Sequence, residues 1–319
     1  MICRVLATAG ASRTDGFNEQ ELIDFIQSTF AAHQHGQVLN AASISEALAR
    51  LLGAGLIDRF DDRYRLTELG KVAGELGIQV ESVVRIARAL RGLVGSQMTD
   101  SVILAAAQIS AELDDIPFPV HKKSIKERAR WRGAIQQQRL PASVVRELGS
   151  TDDAGWTARC KRLSSVLMWI EGVELSRMEA SLLLHLPGEN AARPIRASAE
   201  RTRDLIGVVF RIGALAASDG NSPIADIDDL ATRLEIGIPA DILWLAKEAK
   251  RGLERGDHLA LRRNHVASAQ DLRTLSDDAL LQIIESNARI KRIKDSLNRA
   301  KATTERGDDD LPMPTPPAM

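Results

Sequence analysis

The sequence predicts a mainly α-helical protein, and two observations support this prediction. Aromatic residues make up only 3% of the 319 residues, so the core must consist mainly of Leu, Ile, Val and Ala. Runs of β-branched residues are few, and such a composition favours helices over sheets. A chain of this length can form two or three domains that each have a core.

The N-terminal region, residues 1–77, shows the pattern helix, helix, hairpin, helix. Helices are expected at residues 17–32, 43–57 and 68–76, and short strands at 57–60 and 64–67 around a turn at 61–63. Ser43 with Glu46, and Thr67 before the third helix, are the expected helix caps. This order is that of a winged helix, so we predict a winged-helix domain here.

Residues 78–218 predict a helical bundle. Helical patterns cover residues 80–113, 121–146, 158–184 and 197–217, with an extended joint at 116–119, a polar loop at 149–155 and a stop at 187–188. The long helix at 197–217 has one apolar face, formed by Leu205, Val208, Val209 and Ile212.

Residues 219–300 predict a third domain, of the helix-hairpin-helix kind. Between Arg233 and Leu272 the chain is expected to form a helix, a short basic turn, a helix and a second turn before another helix. Elements of the helix-hairpin-helix kind bind the backbone of a nucleic acid. A last helix is expected at residues 276–299, and the polar, Pro-rich residues 301–319 are expected to be a disordered tail.

The net charge and the cysteines indicate what kind of nucleic-acid site and which cellular compartment to expect. The formal net charge is −1, so any nucleic-acid site must be a local patch. Cys3 and Cys160 lack metal-ligand spacing and fit a reducing compartment. Neither a signal peptide nor an apolar run of roughly 20 residues is found, so a cytoplasmic protein is expected. No catalytic residue, metal ligand set or cofactor is predicted.

A basic segment is the first candidate site. Between residues 121 and 165 there are eleven Lys or Arg residues against four Asp or Glu. Clustered cations with one aromatic side chain suit phosphate contact and base stacking. The candidates are Lys122, Lys123, Lys126, Arg128, Arg130 and Trp131. The alternative is a solvated helix face.

Two further groups of arginines are candidates. On the helix at 197–217, Arg196, Arg203 and Arg211 lie opposite the apolar face and could line a nucleic-acid channel, or simply face solvent. Around the hairpin, the candidates are Arg251, Arg255 and Arg262. There the alternative is a structural helical hairpin, since the turn has little glycine.

The winged helix allows two interpretations. Residues 45–52 could read duplex DNA, or the domain could be a packing element in a larger assembly. Arg50 is the only cation in the expected recognition helix, and residues 1–77 are net acidic. These facts favour the packing role.

Taken in order, these segments resemble the C-terminal half of a Ski-two-like superfamily two DNA helicase of the archaeal fork-repair type, over about residues 1–285. The resemblance rests on Val5–Gly10 with Glu21–Phe30, on Leu56-Ile57 through Tyr64-x-Leu66-Thr67-x-x-Gly70, on Trp169-Ile170-Glu171, and on Arg233-Leu234-x-x-Gly237-Ile238-Pro239. In that family a winged helix, a bundle with a ratchet helix and a helix-hairpin-helix domain follow the motor domains. The chain departs from the family at Glu254 and His265, where glycine is usual, and has Phe210 as the aromatic of its ratchet helix.

The resemblance implies a nucleic-acid-binding module that guides single-stranded or tailed DNA for a motor supplied elsewhere. Arg196, Arg203 and Arg211 would contact the strand. The sequence has no G-x-x-x-x-G-K-[ST] loop, so this chain alone is expected not to hydrolyse ATP. Two alternatives remain: a scaffold that binds a motor subunit, and a winged-helix transcription regulator.

Overall fold

The computed structural model describes residues 1–10, 16–29, 34, 39–121, 123–184, 186, 188–249, 253–295 and 297. The fold is mainly helical with one small three-stranded sheet, which confirms the predicted class. The chain forms two compact units. The first unit contains Met1–Val166 and Glu179–Ile227, and the second contains Leu167–Met178 and the chain from Asp228 onward.

The N-terminal part of the first unit combines helices with the sheet. Its elements are α1 (Ile2–Gly10), β1 (Phe17–Asn18), α2 (Glu19–Gln27), α3 (Ala41–Gly53), β2 (Ile57–Phe60), β3 (Arg63–Leu66) and α4 (Glu68–Leu76). The sheet is antiparallel with strand order β1-β3-β2. Helix α1 packs against α4.

Helix capping explains where these helices begin. The Thr67 hydroxyl accepts a hydrogen bond from the Gly70 amide at 3.0 Å, so the predicted cap of α4 is confirmed. The predicted cap Ser43 is wrong, because the Asn40 side chain accepts from the Ser43 amide at 2.9 Å and α3 begins at Ala41. The helix predicted at 17–32 begins only at Glu19, since Phe17 pairs with Tyr64 in the sheet.

A tight turn closes the hairpin of β2 and β3. Asp61 and Asp62 both have left-handed backbones, with φ of 45° and 60°. Two successive left-handed residues form the type I′ turn that matches the twist of a two-stranded hairpin. Helix α4 approaches this hairpin closely at Gly70, where an added Cβ atom would lie 1.8 Å from the Leu56 carbonyl oxygen. Only glycine fits at that position.

The rest of the first unit is helical. Its elements are α5 (Val80–Leu90), a 3₁₀ turn (Gly95–Gln97), α6 (Asp100–Ala107), α7 (Ala111–Asp114), α8 (Ile125–Gln137), α9 (Ala142–Leu148), α10 (Asp153–Ile170), α11 (Leu175–Leu182) and α12 (Ala192–Ala216). Helices α10 and α11 extend into the second unit. Helix α6 is buried along its length from Val102 to Ala107, and α12 packs on α4, α5 and α6.

The second unit is built from short helices. They are α13 (Ile227–Ile236), a 3₁₀ turn (Ala240–Ile242), α14 (Leu243–Ala249), α15 (Arg255–Arg263), α16 (Ala269–Thr274) and α17 (Asp277–Ile284), followed by helical residues 287–295. The continuous helix predicted at 276–299 is wrong. Glu285 is left-handed, with φ 55°, and the resulting break lets Ile284 and Ile293 enter the same core.

The compact units group the predicted domains differently. The regions 1–77 and 78–218, apart from residues 167–178, lie in one unit, in which α12 packs on α4. The predicted domain at 219–300 corresponds to most of the second unit, which also takes residues 167–178. The predicted tail at 301–319 lies outside the described residues.

Candidate nucleic-acid interface

The predicted basic segment begins at the N-terminus of α8. Lys123 and Lys126 are exposed and have no ion-pair partner among the described residues, whereas Lys122 lies outside them. Arg128 is paired with Asp153 at 2.7 Å, as is Arg132 at 2.8 Å. The hydrogen bond and charge of Arg132, together with Arg128, lower the pKa of the Asp153 carboxyl. The two lysines are therefore the best phosphate contacts of this segment.

Trp131 does not have the role predicted for it. Its side chain is only 4% exposed. The Arg130 guanidinium lies 4.8 Å from the ring centroid, and the Lys161 ammonium lies 5.8 Å from it. A buried ring flanked by two cations offers no face to an incoming base, so Trp131 is a core residue.

Three of the eleven cations counted in the basic segment are buried on α10. Arg159 donates to the Asp114 carboxylate, and Arg162 donates to the Gln108 side chain at 2.7 Å. Lys161 donates to Glu127 at 2.6 Å. Because these cations are 0–1% exposed, they hold the first unit together and add nothing to its surface charge. In the sequence, only one feature indicates that these three cations are buried, namely their position among the apolar residues of one helix.

Helix α12 confirms the predicted division into two faces. Its buried face contains Leu205, Val209 and Ile212. Arg196 is exposed and has no ion-pair partner among the described residues. Arg193, which the prediction did not include, lies exposed one turn earlier on the same stripe.

The other two predicted arginines of α12 are engaged in ion pairs. Arg203 lies 3.1 Å from the carboxylate of its neighbour Asp204, and Arg211 lies 3.0 Å from Glu75 on α4. These pairs are 32–45% exposed, so a strand could compete for the arginines only by displacing a carboxylate. They are weaker candidates than Arg196.

Helices α8 and α12, which carry the cations that have no ion-pair partner among the described residues, are both bonded to one turn of α11. The Arg130 guanidinium donates to the Ser181 hydroxyl at 2.8 Å. Two residues earlier, the Glu179 carboxylate accepts from the Ala192 amide at the start of α12, at 3.0 Å. Lys126 lies on the same side of α8 as Arg130, four residues before it. We call the set Lys123, Lys126, Arg193 and Arg196 the α8–α12 surface.

In the second unit, the predicted site residue Arg255 makes structural contacts. Its guanidinium donates to the carbonyls of Gly237 at 2.8 Å and Val173 at 2.6 Å. It also lies 4.3 Å from the Trp169 ring centroid, and the Trp169 indole donates to the Leu234 carbonyl at 2.8 Å. These contacts let Arg255 connect three segments, so it is a weaker candidate for the predicted contact with a strand than an arginine that faces solvent.

Arg262 lines a cavity of about 350 Å³ in the second unit. It is paired with Asp241 at 2.8 Å, and Arg263 is paired with Glu174 at 2.6 Å. His265 also lines the cavity and has a left-handed backbone, with φ 58°, a conformation that glycine adopts most readily. Arg251 lies outside the described residues.

The start of α15 is formed by acidic residues. The Glu254 amide donates to the Asp257 carboxylate at 2.9 Å, in a capping arrangement. Burial raises the pKa of Asp257, and burial lowers the pKa of the neighbouring His258 to about 4. Carboxylates at a helix start repel a phosphate, so this helix start is a poor anion site.

The wing and the expected recognition helix expose few cations. On α3, Arg50 is exposed near the C-terminus, while Ser45 donates to Glu19. Phe60 is 64% exposed at the end of β2, and Arg65 is exposed on β3. Neither Phe60 nor Arg65 was among the predicted site residues, and an aromatic at a strand end such as Phe60 more often packs inside.

Comparison with protein-family models and with curated proteins finds no match for this chain. Among the described residues, no group of three His, Cys, Asp or Glu side chains is placed to hold a metal ion. The same residues contain no helix with both the length and the apolar character needed to cross a membrane.

Proposed function

We propose that this chain is a nucleic-acid-binding accessory module, which guides single-stranded or tailed DNA for a helicase-type motor supplied elsewhere. The observation that carries the proposal is the α8–α12 surface. It consists of four cations, Lys123, Lys126, Arg193 and Arg196, on helices joined to one turn of α11. Cations that have no ion-pair partner among the described residues can replace the counterions of a phosphate backbone.

The order of elements supports the fold part of this proposal. The succession α1, β1, α2, α3, β2, β3, α4 agrees with a winged helix, and the short helices α13 to α16 agree with the helix-hairpin-helix pattern. We assign the winged helix a packing role. Its helix α4 lies against α12, and its helix α3 exposes Arg50 alone among the cations of residues 45–52.

The same proposal places the chain in the cytoplasm as a partner of a separate motor. Cys3 and Cys160 are both buried and unpaired, and burial raises the pKa of Cys160 to about 12. Inert, reduced thiols suit a reducing compartment. The motor itself is implied by the family resemblance, since the order of segments over residues 1–285 follows the motor domains in that family.

Binding to a single strand and to a blunt duplex of the same sequence tests the proposal. We expect tighter binding to the single strand, measured by fluorescence anisotropy at low and moderate salt. The variant Lys123→Glu, Lys126→Glu, Arg196→Glu should lose most of this binding.

A matched control uses three exposed cations elsewhere in the first unit: Arg88→Glu, Arg139→Glu, Arg146→Glu. Arg88 and Arg146 lie on α5 and α9, which pack together, and Arg139 lies beyond the far end of α8. Lys126 lies about 16 Å along α8 from Gln137, and Arg139 follows two residues after Gln137. The control changes the net charge equally and should retain binding. Equal losses in both variants, or no binding by the unmodified chain, would refute the proposal.

A scaffold that binds a motor subunit is the second candidate. One observation favours it: Arg128, Arg211 and Arg262 are all paired with carboxylates of the chain itself. On this alternative, the motor subunit would bind with or without DNA, and the charge-reversal variant would affect motor binding instead of DNA binding. Co-sedimentation of the two purified proteins without DNA distinguishes the candidates.

A further inference from the structure

Phe60 is an exposed aromatic residue at the tip of the β2–β3 hairpin. Its side chain is 64% exposed, whereas Tyr64 on the neighbouring strand is 6% exposed. The register of the two strands places Phe60 opposite Arg63 and Asp58 opposite Arg65. All four side chains therefore project from the same face of the hairpin.

The backbone at the tip that carries Phe60 forms a tight turn. Asp61 and Asp62 form the two-residue turn, and the Arg59 guanidinium donates to the Asp62 carboxylate at 2.5 Å. On the opposite face, Arg59 lies 5.7 Å from the Tyr64 ring centroid. An aromatic side chain has only two side-chain torsions, so ordering it against a stacked ligand costs little conformational entropy.

Two arginine residues, Arg63 and Arg65, lie on the same face of the hairpin as the Phe60 ring. The Arg65 guanidinium lies 5.9 Å from the Phe60 ring centroid and is exposed. Arg63 donates to the Gly16 carbonyl at 2.7 Å, which keeps its guanidinium beside β1. The neighbours of Phe60 on its face are thus charged, so the ring is not part of a contiguous apolar patch of the kind that a protein partner covers.

We propose that Phe60 is a stacking site for a nucleobase of a single strand, with Arg65 contacting the adjacent phosphate. This inference rests on the proposed function and adds the position at which a base is held. A planar base can stack on a single exposed aromatic ring. An arginine beside that ring can contact the backbone phosphate next to the base. In this proposal Phe60 has the stacking role that was predicted for Trp131, which is buried.

The test compares Phe60→Ala and Phe60→Trp in the full chain, with a single-stranded oligonucleotide that carries 2-aminopurine. We expect Phe60→Ala to weaken binding about five- to 150-fold, the range that loss of one base–aromatic stack produces. Phe60→Trp should bind within about twofold of the unmodified chain, since every aromatic ring offers a stacking face. Its added tryptophan fluorescence should also be quenched on binding.

Ile224→Ala is the matched control, because Ile224 is 65% exposed in the same unit. It should leave binding and 2-aminopurine fluorescence unchanged. The inference is overturned if Phe60→Ala binds as well as the unmodified chain, or if Ile224→Ala causes the same loss. If either happens while reversal of the α8–α12 surface still abolishes binding, the proposed function stands and only the stacking site fails. If the unmodified chain does not bind the oligonucleotide, both fail.

Discussion

The Lys161 ammonium donates to the Glu127 carboxylate at 2.6 Å, and the two side chains are 0% and 1% exposed. Lys161 also donates to the Pro119 carbonyl at 2.6 Å, while Glu127 accepts from the His121 amide at 2.7 Å. This buried pair joins α8, α10 and the loop before α8. The exposed Lys123 and Lys126 flank the same start of α8, so the pair fixes the position of the proposed interface.

Removing one partner of this pair should strongly destabilise the first unit. We expect Glu127→Ala to lower the free energy of unfolding by about 3–5 kcal/mol, because it leaves a buried ammonium without its counter-charge. Urea unfolding measures this change. The double variant Glu127→Leu, Lys161→Met removes both charges and should lose clearly less. A single variant within about 1 kcal/mol of the unmodified chain would show that the pair is not buried as described.

Arg255→Ala should destabilise the second unit without changing DNA binding. The side chain supplies hydrogen bonds to two carbonyls and a contact with Trp169. Their loss should lower the free energy of unfolding by about 2–4 kcal/mol. The control Arg262→Ala breaks a pair in which both side chains are about half exposed, and should cost about 1 kcal/mol or less. Equal effects of the two substitutions would contradict the structural role of Arg255.

Stability of the second unit should fall in mild acid because of His258. Burial lowers the pKa of this side chain from 6.5 to about 4, so the unfolded chain takes up the proton first as the pH falls. The contribution is complete above pH 6.5 and is lost between pH 6.5 and 4, with a maximum of about 3 kcal/mol.

Urea unfolding at pH 7 and pH 4.5 measures this effect. The variant His258→Met should lose less stability between the two pH values than the unmodified chain does. His265→Asn, which replaces an exposed imidazole, should behave like the unmodified chain. An identical pH dependence in His258→Met would contradict the assignment.

Gly207 lies on the exposed stripe of α12, and nothing lies within 4 Å of the position of an added Cβ atom. Gly207→Ala should therefore stabilise the chain, by about 1 kcal/mol, because glycine is unfavourable in a helix interior. Thermal unfolding measures the gain. If the strand approaches this stripe closely, the same substitution should weaken DNA binding. Loss of stability would show that the position is not open.

The helical class and several local elements were predictable from the sequence, because they depend on neighbouring residues. The Thr67 cap and the strand at Ile57–Phe60 are of this kind. The positions at which helices are interrupted were harder to predict. Glu285 interrupts a regular helical pattern because Ile284 and Ile293 share one core, which is a tertiary requirement.

The candidate site was predictable only in part for the same reason. Arg196 and Arg255 look alike in a sequence, yet one is exposed and the other donates to backbone carbonyls of distant segments. Local charge counts do not separate surface cations from buried ones such as Arg159. Sequence therefore identified the basic helices, and the contacts decided which of their cations reach solvent.

The salt dependence of single-strand binding tests the central claim most directly. The logarithm of the binding constant should fall linearly with the logarithm of the salt concentration for the unmodified chain. With Lys123, Lys126 and Arg196 reversed, the slope should become shallower by about 2, the change expected for three lost phosphate contacts on a single strand. The control with Arg88, Arg139 and Arg146 reversed should keep the original slope. Parallel lines for all three proteins would contradict the assignment of the α8–α12 surface as the nucleic-acid interface.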